Sequence, residues 1–317
     1  MTHTDIHQHL WPEGLIAALT WRREPPLLRR AGRGWILRLR DEPEYGFDAA
    51  DHDPDARAAL LARDGVARAL LAISSPLGIE GLPRAEAEPL LAAHNDGLLA
   101  LGHPFGVWGA VSLRPPVAAD VDALLDAGAV GISLPAGAIA GPDGLDRCGA
   151  LLERLERRDA PLLVHPGPGP WRAWRPQAYA DAAVPGWWPA MTRYIADMNA
   201  AWHAFAAFGR PHHPQLRVVF AMLAGGAPLH SERLATRGGP SDAVADARLF
   251  YDTSSYGART TDAVVRCVGI DQLVYGSDRP VVDAPTEPAP LGPAAADAMG
   301  SANVARLLGG APLAVAA

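Results

Sequence analysis

Short apolar runs recur along the chain, each followed by a stretch with helical spacing. The runs fall at residues 4–10, 67–74, 107–113, 129–134, 161–165, 217–223, 248–254 and 272–278. Each is too short for a helix and rich in Val, Ile, Leu and Ala, the pattern of strands buried on both faces of a parallel sheet. Between them, apolar positions three and four apart predict helices over 54–63, 84–99, 117–126, 144–158, 188–208, a helix ending at 237, 260–268 and 294–308. Two stretches break the alternation and predict insertions, 11–51 after the first strand and 168–188 after the fifth. Eight strand–helix units in 317 residues predict an α/β chain, a single (β/α)8 TIM barrel spanning 1–317. A doubly wound open sheet is the alternative. It leaves two edges on eight parallel strands, and no Gly-rich fingerprint follows the first strand. Residues 311–317 are expected to be loose.

Polar residues inside such runs are the ones to explain. Side chains alternate along a strand, so His7 and His9 point the same way. His165 ends the fifth run and Asp278 the eighth, each followed by loop residues, Pro166-Gly167-Pro168 and Arg279-Pro280. In a barrel of this kind, the C-terminal ends of the strands form the active face. Three imidazoles and a carboxylate make a donor set suited to one zinc-like ion. The plainer reading makes each histidine a hydrogen-bonded core group and Asp278 a turn residue or helix cap. His52, His94, His103, His203, His212 and His213 lie on helices or loops and read as surface or capping groups.

Composition narrows the chemistry. Hydrophobic residues make up 49% and charged residues 20%, enough for a large core. The net charge of −7 and the lack of a basic face argue against nucleic acid as a partner. No apolar run is long enough to span a bilayer, and no basic stretch leads into an apolar one at the N-terminus. Cys148 and Cys267 stand far apart, so no disulfide framework is expected and a cytoplasmic protein is. There is no lysine; all 28 basic residues are arginine. Schiff-base chemistry, lysine-bound pyridoxal phosphate, a P-loop and a two-metal site bridged by a carboxylated lysine are therefore excluded.

Taken together, Asp5-Ile6-His7-Gln8-His9 followed by Pro12, Val164-His165-Pro166, Tyr275-Gly276-Ser277-Asp278-Arg279-Pro280 and Asn303-Val304-Ala305-Arg306-Leu307-Leu308-Gly309 resemble the amidohydrolase superfamily. The branch is the amidohydrolase-related one, near aminocarboxymuconate semialdehyde decarboxylase, and the likeness runs from residue 4 to about 309. The resemblance implies one divalent metal, zinc or alternatively manganese, held by His7, His9, His165 and Asp278. It also implies a homodimer. The family places a histidine at the end of the sixth strand, just before Gly-Gly. Here Met222-Leu223-Ala224-Gly225-Gly226 puts leucine there, which leaves a non-catalytic binding barrel as an alternative. His230, seven residues on, is a candidate replacement.

The resemblance implies hydrolysis of a small cyclic or aromatic amide, lactone or related carbonyl compound. A bound ion brings the pKa of water towards about 7, and Asp278 then takes the proton. Non-oxidative decarboxylation of a small aromatic or unsaturated acid is the alternative. The first insertion carries seven arginines, among them Arg38 and Arg40, as candidate clamps for a substrate carboxylate. Trp171 and Trp174 in the second are candidates for an aromatic lid. Asp252 and Arg279 are further candidates for lining the substrate pocket.

Overall fold

The computed structural model describes residues 3–32, 34–40, 42–171, 184–240, 242–282 and 291–310. Strand β1 (His3–Gln8) opens the chain and helix α1 (Glu13–Trp21) follows. The first insertion then folds into an antiparallel sheet of its own, β2 (Leu27–Ala31), β3 (Gly34–Arg38) and β4 (Tyr45–Phe47). Strand–helix alternation resumes with α2 (Pro54–Arg63), β5 (Val66–Leu71), α3 (Arg84–Leu99), β6 (Phe105–Ala110), α4 (Ala118–Asp126), β7 (Gly131–Pro135), α5 (Pro142–Arg157) and β8 (Leu162–His165). After the second insertion come α6 (Trp188–Met191), α7 (Arg193–Ala204), β9 (Val218–Phe220), α8 (Ser231–Thr236), β10 (Leu249–Asp252), α9 (Ala258–Val268), β11 (Leu273–Val274), α10 (Pro293–Asp297) and α11 (Asn303–Leu307).

The eight long-range strands pair in parallel in the order β1, β5, β6, β7, β8, β9, β10, β11. The last meets the first through backbone hydrogen bonds: Ile6 N–H to the Tyr275 carbonyl at 2.9 Å, Asp278 N–H to His7 at 2.9 Å, and His9 N–H to Arg279 at 2.7 Å. The sheet is thus a (β/α)8 barrel, as its period predicts. The helices cover it in the expected manner. In α5, Leu145, Cys148, Leu151, Leu152 and Leu155 form a buried stripe at three- and four-residue spacing. In α2, Pro54 opens the first turn and the Asp53 carboxylate caps the Ala56 N–H at 2.8 Å.

Several features depart from expectation. The first insertion is structured, with Trp11, Leu15, Leu19, Leu28 and Leu39 in a core shared with Leu77, Leu82, Leu90 and Leu91. The first insertion is also tied to α7. Within the insertion Tyr45 donates its hydroxyl to Glu42 at 3.0 Å; from α7 Tyr194 donates to the same carboxylate at 2.5 Å and Arg193 pairs with it. The first, second, third, sixth, seventh and eighth barrel strands end before their apolar runs do, and His9 and Asp278 sit on the irregular segments just beyond. His52, His94 and His213 are buried rather than superficial. His94 lies on the face of α3 that carries Leu90, Leu91 and Leu98 inward, and burial lowers its pKa to about 3. No helix among the described residues is long and apolar enough to cross a membrane.

Candidate metal centre

The barrel brings four side chains from three strand ends to one point. His7, His9, His165 and Asp278 present donor atoms within 4.8 Å of one another. His9 Nε2 lies 3.2 Å from both His7 Nε2 and His165 Nε2. Asp278 Oδ1 lies 3.1 Å from His9 Nε2 and 3.7 Å from His7 Nε2. The three rings stand nearly edge to face, 80–87° apart with centroids at 4.9–5.0 Å.

The other nitrogen of each ring fixes what the inner one is. His7 Nδ1 faces Asp252 Oδ2 at 2.6 Å, His9 Nδ1 the Ala72 carbonyl at 2.8 Å, and His165 Nδ1 the Pro166 carbonyl at 2.8 Å. All three partners only accept, so each Nδ1 carries the proton and each Nε2 offers a lone pair. Three inward lone pairs and a carboxylate at 3.1–3.7 Å cannot satisfy one another. A cation at their centre can. Tetrahedral ligands at zinc–nitrogen distance are about 3.3 Å apart, close to the spacing found. The residues therefore fit one divalent ion of the zinc or manganese class.

Charge follows the same geometry. Burial opposes the imidazolium of His7, but the Asp252 carboxylate outweighs it and raises the pKa to about 9, so without an ion a proton occupies Nε2 at neutral pH, and a cation seated there takes that proton's place and frees the lone pair. Burial and the neighbouring His7 and His9 push His165 well below its usual value. Burial also opposes ionisation of Asp278. The imidazoles overcome this and hold it at about 2, so it is a carboxylate at neutral pH.

A tight frame supports the four groups. Asp5, two residues before His7, accepts from the His7 and Ser277 backbone N–H groups, both at 3.1 Å, and from Gln8 at 2.7 Å. It clasps the first strand to the segment that carries Asp278. Gly276 is required there: a Cβ would come within 2.9 Å of His7 Cβ and 3.1 Å of the Asp252 carboxyl. Asp278 itself takes a left-handed backbone, φ 60°. Its outer oxygen lies 3.3 Å from the hydroxyl of the exposed Ser255. That loop serine was not legible as a site residue, and only its closeness to Asp252-Thr253-Ser254 pointed to it.

The remaining candidates lie as follows. Asp252 is fully buried with both oxygens engaged. Arg279 reaches away from the centre to Asp64 at 2.7 Å. Arg38 pairs with Glu44 at 3.0 Å on the surface of the insertion sheet, and Arg40 is exposed. Trp171 packs against the barrel core, with the Arg147 guanidinium 5.5 Å above its ring. Trp174 lies outside the described residues. His230 is exposed at the start of α8, on the side of His203, apart from the cluster of four.

The sixth corner is unusual in its backbone. Met222, Leu223, Ala224, Gly225 and Gly226 take φ of 44, 51, 54, 61 and 81° in succession. Three of the five carry side chains, at roughly 1–2 kcal/mol each in this region. Leu223 is fully buried and Met222 half-buried, so no imidazole stands at this corner. In the loop after β5, Glu80 is buried with one side-chain partner, the Ser75 hydroxyl at 2.5 Å, and its Oε2 has none. Burial raises its pKa to about 7.

No protein-family model and no curated protein sequence matches the chain. Solved structures do. The IDCase of Metarhizium anisopliae superposes with a TM-score of 0.77 at 18% identity, covering 97% of each chain. A putative amidohydrolase from Staphylococcus aureus gives 0.75 at 16%, covering 98% of this chain and 100% of its own. A 5-carboxyvanillate decarboxylase from Novosphingobium aromaticivorans, complexed with manganese and 4-hydroxy-3-methoxy-5-nitrobenzoic acid, gives 0.72 at 16%, covering 97% and 96%. The chain thus shares its (β/α)8 fold, nearly end to end, with solved amidohydrolase and decarboxylase structures.

Proposed function

We propose that this chain is a metal-dependent enzyme of the amidohydrolase superfamily that removes a carboxyl group, without oxidation, from a small aromatic or unsaturated acid. One observation carries the reading: three imidazoles with their protons tied outward turn three lone pairs and a carboxylate oxygen onto one point. Zinc suits this donor set. Manganese is the alternative, supported by the similar decarboxylase that contains it. Hydrolysis of a carbonyl compound, the first expectation from the sequence, becomes the second reading. The decarboxylase among the similar structures supports that order, and so does the sixth corner, where Met222 and Leu223 are apolar. A carboxylate that must shed its charge as CO2 is favoured by poor solvation.

When bound, the ion supplies Lewis-acid polarisation of substrate oxygens. The chain does the rest. Asp252 and the Ala72 and Pro166 carbonyls hold the imidazoles in one tautomer. Asp278, ionised at neutrality, accepts a proton at its outer oxygen, with the Ser255 hydroxyl as the link to solvent. It returns that proton to the ring carbon as the bond to the carboxyl breaks, so one proton enters for each CO2 released.

A coupled CO2 assay on hydroxylated aromatic acids, run beside a pH-stat assay on lactones and amides, tests this. Carbon dioxide released by the ion-loaded protein and abolished in Asp278→Asn is the expected result. Lactone or amide cleavage without CO2 would establish hydrolysis instead. Neither activity, in a chain that binds no ion, would make it a binding barrel.

A further inference from the structure

Asp252 has two oxygens and two separate tasks. Oδ2 accepts from His7 Nδ1 at 2.6 Å. Oδ1 accepts from the Met222 N–H at 2.9 Å, from the Ser254 N–H at 2.9 Å, and from the Ser254 hydroxyl. Ser254 Oγ in turn accepts from Met222 N–H at 3.2 Å. The residue that orients His7 is therefore also the anchor of the left-handed turn from Met222 to Gly226. The far side of the turn is held by one residue of α7. Asn199 donates its amide to the Ile195 and Gly225 carbonyls at 3.0 and 2.9 Å, with the Ala224 carbonyl at 3.5 Å. A Cβ on Gly225 would come within 2.8 Å of that amide.

We infer that Asp252 is a positioning residue that couples the cation site to this turn, so that binding of a divalent ion orders residues 222–226, which follow β9. Backbone in a sparsely populated conformation persists only where its surroundings over-determine it. Here the surroundings are Asp252 on one side and Asn199 on the other. An ion seated on His7 Nε2 fixes that ring, the ring fixes the carboxylate, and the carboxylate fixes Met222 N–H. Linkage makes the effect reciprocal: a turn that is loosened from the Asn199 side weakens ion binding. The inference rests on the metal-centre reading and deepens it, giving the turn after β9 an ion-dependent shape.

Titration calorimetry of the metal-free full chain with Mn²⁺ and Zn²⁺, paired with hydrogen exchange of peptides covering 218–230, tests the coupling. The wild type binds one ion, and exchange across 222–226 slows about tenfold or more on binding. Asp252→Asn keeps the shape and an oxygen for Met222 N–H but turns an amide donor towards His7 Nδ1. That favours the wrong tautomer, so affinity falls about 10–100-fold and saturating ion no longer protects the turn. Asn199→Ala touches neither His7 nor Asp252. It speeds exchange of the ion-free turn and weakens ion binding several-fold, which decides the matter even if Asp252→Asn does not fold. Unchanged protection in an ion-binding wild type, wild-type affinity in Asp252→Asn, or wild-type affinity in Asn199→Ala would each overturn the coupling. Failure of the wild type to bind either ion would instead remove the metal centre, and the coupling with it.

Discussion

Two buried polar regions lie on the same rim and differ in how completely they are satisfied. At the meeting of the first, fifth, seventh and eighth strands, each histidine has its outer nitrogen paired and its inner nitrogen turned on a shared centre. In the loop after β5, Glu80 is just as buried but has the Ser75 hydroxyl as its one side-chain partner. The first arrangement leaves unmet only the valences that a cation completes. The second leaves a carboxyl oxygen that nothing completes, and burial answers by keeping its proton up to about pH 7. Burial of polar groups is therefore no mark of a site by itself. Convergence of unprotonated donors is.

The sharpest way to break the contrast is to remove one converging donor. His165→Ala should weaken ion binding by at least about 100-fold and reduce turnover to background, because it deletes one of three converging nitrogen lone pairs and leaves water to fill that corner. Ion content by mass spectrometry checks it, and an ion retained at wild-type affinity would dissolve the distinction. On the other side of the comparison, Glu80 has a folded pKa of about 7 against an ordinary 4.5. The folded state thus binds the proton more tightly. The stabilisation it gives is complete below pH 4.5 and is lost as pH rises through 7. Wild-type stability should fall by about 2–3 kcal/mol more than that of Glu80→Gln between pH 5 and pH 8. Urea unfolding of both proteins at the two pH values measures this, and parallel curves would contradict it.

Smaller effects sharpen the picture. Gly276→Ala forces His7 and Asp252 apart and should cost about 1–3 kcal/mol, with a weakened ion site, in thermal unfolding with and without ion. At the low end, Arg38→Ala removes only a surface pair with Glu44. It should change stability by less than about 0.5 kcal/mol. A large loss of activity from that variant would restore the guanidinium as a substrate clamp.

The barrel was legible because eight short apolar runs must be buried on both faces, and a closed parallel sheet with helices outside does that without leaving two of them at an edge. His7, His9, His165 and Asp278 stood out because polar side chains at the ends of buried strands need a reason. What stayed hidden depends on contacts that no local pattern records. The insertion sheet left little trace in the pattern: Leu27-Leu28-Arg29-Arg30 does not alternate apolar and polar as a half-buried strand would, and its pairing with the residues of β3 is seen only in the fold. His94 carried a readable signal, since it shares a helical stripe with Leu90, Leu91 and Leu98. The left-handed turn after the sixth strand carried little beyond Gly225-Gly226. Its other three residues are ordinary helix or strand formers, bent by Asp252 and Asn199 from elsewhere in the chain.

The account depends above all on a cation at the meeting point of the three imidazoles. Titration of the metal-free protein with Zn²⁺ or Mn²⁺, followed by X-ray absorption at the metal edge, reads that point directly. One ion per chain with a shell of three nitrogens and carboxylate oxygen is the predicted result. No saturable binding, or an ion surrounded only by oxygen, would contradict it.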